Sequence, residues 1–67
     1  MILVRRKIGK DYVYVCKGES LESKHPTLTS AISNALEFIN KEEAQRFLDK
    51  VEMKNLEIHD TAELNLF

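Results

Sequence analysis

Ala35-Leu-Glu-Phe-Ile-Asn-Lys-Glu-Glu-Ala-Gln-Arg-Phe-Leu-Asp-Lys-Val51 holds the clearest boundary and the clearest buried face in this 67-residue sequence. Asn40 followed by Glu43 has the N-cap and N3 spacing of a capping box, in which the Asn side chain accepts an orphan backbone N–H and the Glu reaches back. The spacing predicts a helix over residues 41–53. Ala44, Phe47, Leu48 and Val51 recur at i, i+3, i+4 and i+7 and share one stripe, while Glu42, Gln45, Arg46, Asp49 and Lys50 fall elsewhere. Glu42 and Glu43 in the first turn, with Lys50 and Lys54 near the last, suit the helix dipole, and Glu42 to Arg46 is a favourable i, i+4 pair. A single helix over residues 30–52 fails on phase. Its stripe of Ala31, Ile32, Ala35, Leu36 and Ile39 would bring Glu43 and Arg46 inward, one step out of register with Ala44 and Phe47. The chain must break near Asn40, and a short strand, at an edge or simply extended, fits residues 35–39, with Leu36 and Phe38 on one face.

Upstream, residues 2–8 and 12–17 are rich in β-branched and aromatic side chains, and Gly9-Lys10 between them is a Gly-X pair of the kind found in type II′ turns. The pair predicts a hairpin in which Arg5 lies opposite Tyr14, Arg6 opposite Val13, Lys7 opposite Tyr12 and Val4 opposite Val15. Ile2, Val4, Ile8, Val13 and Val15 then share the core face. Leu3, Arg5, Lys7, Tyr12, Tyr14 and Cys16 occupy the other, and a loop one residue longer would exchange the faces. Residues 19–30 are polar, aperiodic and contain the only Pro, so they read as a connection, with Thr29 or Ser30 placed to cap a turn over residues 31–34.

Beyond the helix, Asn55 suits a left-handed C′ position, and Leu56, Ile58, Ala62, Leu64 and Leu66 alternate with polar residues as a strand does. Asp60 interrupts the apolar side, so order ends or bulges there, leaving Leu64, Leu66 and Phe67 as a frayed tail or an apolar hook. The element order is β-β-β-α-β. The expected fold is one α+β domain over residues 1–67, a small antiparallel sheet with one helix on one face. Its expected core is Val4, Ile8, Val13, Val15, Leu36, Phe38, Ala44, Phe47, Leu48, Val51 and Ile58. A one-helix layer leaves Leu3, Tyr12 and Tyr14 without cover, which implies a homodimer or a heterologous partner.

At 43% hydrophobic the chain supports one modest core. Lone Cys16 makes no internal disulfide and no Cys/His spacing offers zinc, which favours a cytoplasmic setting. Met-Ile-Leu-Val ahead of Arg5-Arg6-Lys7 is too short for a signal peptide, and no apolar run approaches a membrane span. Net charge is −1. It is unevenly spread, with six basic against three acidic side chains in residues 1–25 and four against eight in the remainder. A two-layer fold that brings the halves together cancels most of this offset.

Behind this basic hairpin, Ala35-x-x-Phe38 followed by Asn40-Lys41-Glu42-Glu43-Ala44-x-x-Phe47 resembles small, uncharacterised accessory proteins of phages and prophages of Gram-positive bacteria, over the central third of the chain. The resemblance carries no catalytic residues. It implies a product that binds, and inhibits or redirects, a larger host protein.

Chemistry in the residues themselves is sparse. Cys16 with His25 or His59 has the composition of a nucleophile and base but no positioning motif, and His59-Asp60 are adjacent strand residues that point to opposite faces. Neither a phosphate-binding loop nor a metal motif is present, so no enzyme activity, cofactor or metal is expected, and the short chain leaves little volume for a pocket. The informative set is Arg5, Lys7, Tyr12 and Tyr14 on the hairpin's open face, where cation-π neighbours are expected. Arg and Tyr are the residues of protein-binding hot spots, and a basic-aromatic sheet also holds single-stranded nucleic acid. Net acidity ranks a protein partner first, a plain solvent-facing sheet second and nucleic acid third.

Overall fold

A computed structural model describes residues 1–61. The chain forms β1 (Ile2–Ile8), β2 (Asp11–Val15), β3 (Leu28–Thr29), a 3-10 turn (Ile32–Asn34), α1 (Lys41–Lys50) and β4 (Leu56–Asp60). The strands make one antiparallel sheet in the order β3-β2-β1-β4, and α1 packs against β1 and β4. This is the α+β architecture, with one helix against a four-stranded sheet, that the periodicities predict. The tail containing Leu64, Leu66 and Phe67 lies outside the described residues.

The hairpin has the expected register, from Ile8↔Asp11 through Lys7↔Tyr12 and Arg6↔Val13 to Arg5↔Tyr14. Gly9 makes it with φ of 61°, the left-handed value that a residue without Cβ reaches at little cost. Past Arg5 and Tyr14 the ladder stops. Residues 35–38 enter there: the Leu36 N–H donates to the Val15 carbonyl at 2.7 Å and the Phe38 N–H to that of Ile2 at 2.8 Å. The bridges Cys16↔Ala35 and Ile2↔Phe38 tie the same segment to both strands, so Val4 does not join Val15 in the paired register; its partner is Ile58 on β4. The expected strand over residues 35–39 is therefore a wedge held by isolated bridges. The third strand is instead Leu28–Thr29, inside the stretch that reads as a connection, and it pairs with Tyr14 and Val15.

α1 starts where the cap predicts. Asn40 is extended and its Oδ1 accepts the Glu43 N–H at 2.8 Å. Replacing Asn40 with Ala removes that acceptor and is expected to lower unfolding free energy by about 1 kcal/mol; an unchanged urea midpoint would remove the cap from the account. The helix ends at Lys50 rather than Met53. Val51 is already extended at ψ of 143°, and the Glu52 N–H donates to the Lys24 carbonyl, so the 19–30 connection captures the backbone that would have formed the next turn. Asn55 is left-handed at φ of 67°. It lies several residues past the helix end and turns the chain into β4 rather than closing the helix. Similarly, the Thr29 hydroxyl accepts the Ala31 N–H at 3.1 Å beside the 3-10 turn, whose N-cap, Ala31, has no side chain for the task.

Val4, Val15, Phe38, Ala44 and Phe47 form the fully buried core, with Ile2, Leu28, Leu36, Leu48, Val51, Leu56 and Ile58 packed around it. Phe38 and Phe47 meet edge to face, with centroids 5.4 Å apart. Two expected core residues depart from this. Ile8 is exposed because β1 extends past β4, whose last pairing in that direction is Arg6↔Leu56. Val13 is only half-buried and lies outside the core cluster, opposite Arg6. Leu3, expected to be bare on the far face, is 1% exposed within the single chain.

Candidate functional site: the Arg5 and Tyr12 face

Alternation along paired strands carries Arg5 and Lys7 of β1, Tyr12 and Tyr14 of β2 and Glu57 of β4 to the sheet face opposite the core. Arg5 is at the centre. Its guanidinium carbon sits 3.9 Å above the centroid of the Tyr12 ring, and its Nε donates to Glu57 Oε2 at 2.9 Å. The register puts Tyr14 directly opposite Arg5, yet the stacking partner is the diagonal neighbour Tyr12, within reach of so long a side chain. Lys7 is exposed, and Tyr12 and Tyr14 are half-buried.

The structure thus brings all four expected residues to one face and adds a fifth, Glu57. Its signal in the sequence is its polar slot in the Leu56-x-Ile58 alternation, but its pairing with Arg5 requires the β1–β4 neighbourhood. The Arg5 side chain keeps only 19% of its exposure. Held by a ring on one side and a carboxylate on the other, it has already lost most of the rotamer freedom that binding would otherwise remove.

Elsewhere the groups considered for chemistry are separate from this face or ordinary in setting. Cys16 is a half-buried free thiol, and His25 is exposed beside Glu52, with Nε2 3.6 Å from Oε1. Among the described residues no cluster of His, Cys, Asp and Glu has metal-binding geometry. A shallow, largely open depression lies at the hairpin end between Arg6, Lys7, Ile8, Asn55, Leu56 and Glu57. It adjoins the Arg5 face through Lys7 and Glu57. No described helix is long and apolar enough to cross a membrane.

The site therefore belongs to a small α+β domain that presents a preorganised, partly covered Arg-Tyr pair on the sheet face opposite the core. No family model, curated protein or solved structure matches the chain.

Proposed function

We propose that this protein is a stoichiometric binding module, not an enzyme, that covers part of a larger cytoplasmic protein with the face bearing Arg5, Lys7, Tyr12 and Tyr14. The observation that carries the reading is Arg5 stacked at 3.9 Å on Tyr12 while tied to Glu57, since aromatic and guanidinium groups already fixed in place bind at a lower entropic cost than free ones. The resemblance to phage accessory proteins makes a host protein the partner and inhibition or redirection its effect. The free thiol of Cys16 suits a reducing compartment. Glu57 neutralises Arg5 on the same face and would repel phosphate, which keeps single-stranded nucleic acid behind a protein partner.

The Tyr12→Ala, Tyr14→Ala double variant tests this. Folded by circular dichroism, it is expected to lose a host protein that the wild type captures, with the identified protein then rebinding in purified form and depending only modestly on salt. Equal capture by the variant removes the face from the proposal. Recovery of nuclease-sensitive material, with affinity falling steeply as salt rises, transfers it to nucleic acid.

A further inference from the structure

We infer that the partner of the Arg5 face presents an acidic side chain, whose carboxylate is received by the two Nη groups of Arg5 with the Lys7 ammonium beside them. This rests on the protein-binding reading above and names the chemistry of its central contact.

Arg5 is only partly used within the chain. Its Nε donates to Glu57 Oε2 at 2.9 Å, and the Tyr12 ring covers one side of the guanidinium, 3.9 Å from its carbon. All five N–H bonds of a guanidinium lie in its plane, so a ring stacked on it blocks none of them, and the edge formed by Nη1 and Nη2 faces away from the carbon stem. Among the described residues nothing accepts from those two nitrogens. Neither is sealed from solvent, because no buried side-chain nitrogen or oxygen lacks a partner. A fork of donors held still by a ring and a carboxylate is matched to the two oxygens of a second carboxylate.

Charge selects among the anions that could sit there. Alternation puts three ordinarily charged strand residues on this face, Arg5, Lys7 and Glu57. Lys7 is exposed and has no ion pair among the described residues, and it lies opposite Tyr12, so both cations border the same ring. Glu57 offsets Arg5, which leaves the face with the charge of Lys7. One carboxylate balances that charge. A phosphorylated side chain, at about −1.5 to −2, exceeds it, and a nucleic-acid strand brings a further negative charge with every nucleotide. Glu57 therefore repels a string of anions while a single carboxylate is accommodated on the far edge of Arg5. Tyr12 and Tyr14 are half-buried next to it and exclude water once a partner is seated, which strengthens the pair.

NMR titration of the isotopically labelled wild-type chain with two end-blocked peptides, Gly-Glu-Gly and Gly-Gln-Gly, tests this. At millimolar concentration the Glu peptide is expected to move the Arg5 side-chain N–H and Lys7 signals, and the Gln peptide to leave them in place. Arg5→Lys keeps the charge and removes the fork, and is expected to bind the Glu peptide roughly fivefold more weakly, the worth of one net hydrogen bond. Lys10→Gln, which removes a cation at the exposed turn, is expected to match the wild type. Equal binding by Arg5→Lys, or as large a loss in Lys10→Gln, would overturn the inference, and so would a stronger response to inorganic phosphate than to the Glu peptide. If Arg5→Lys does not fold, the wild-type titration decides, and shifts centred away from Arg5 and Lys7 overturn the assignment. A silent Glu peptide alongside loss of the host protein by the double-tyrosine variant removes the carboxylate and keeps the protein-binding reading, whereas retained capture by that variant removes both.

Discussion

Phe47→Ala is expected to remove about 3–5 kcal/mol of unfolding free energy, a large share of the roughly 5–15 kcal/mol that native domains possess. Phe47 is 1% exposed and, with Phe38, is the largest side chain in the described core. Its ring fills the space between helix and sheet and meets Phe38 edge to face, so truncation leaves a cavity and also forfeits the aromatic contact. Leu48→Ala, one residue along and half-buried, should cost clearly less. Thermal melts of the two variants check this ordering. A Phe47→Ala protein that melts within a few degrees of the parent would mean that the helix does not hold the core together.

Leu36→Pro is expected to destabilise the fold beyond Leu36→Ala by about 1–3 kcal/mol, the cost of leaving a buried carbonyl unpaired. Proline removes the N–H that donates to Val15 at 2.7 Å, and Val15 is fully buried. Strain at the preceding residue is not the cause, because Ala35 already has φ of −78° and ψ of 144°, the extended geometry preferred before proline. The Ala variant accounts for the lost side chain, so the difference between the two in urea unfolding isolates the hydrogen bond. Coincident midpoints would show that the wedge contributes through its side chains alone.

What could be read in advance was what local chemistry decides. Gly9-Lys10 specified the hairpin register and Asn40 with Glu43 the helix start, because a turn and a cap each close within a few residues. The helix end was not legible: Val51 keeps the helical apolar spacing, and only the capture of the Glu52 N–H by Lys24 takes the chain away. Nor was β3, whose two residues owe their strand geometry to a neighbour, β2. For the candidate site, the shared face of Arg5, Lys7, Tyr12 and Tyr14 followed from alternation. Choosing Tyr12 over Tyr14 as the stack, and Glu57 as the clamp, depended on a diagonal reach and on a strand some fifty residues away. Exposure of Ile8 came from the unequal reach of β1 and β4, and the sequence marks neither strand as the shorter at that end.

The wedge of residues 35–38 also sets an order of events as the chain is made. The hairpin tip needs only residues 5–14 and can zip in about 1–10 μs once they are free. Its open end cannot close in the same way, because Ile2 and Val15 take hydrogen-bond partners from Leu36 and Phe38. Until residue 38 has left the ribosome, those carbonyls stay in water and the hairpin stays forked. The fork then receives Phe38 just ahead of the helix that brings Phe47 onto it, so sheet and helix mature together, and a nascent chain stopped short of residue 35 should show a protected turn with exchanging ends.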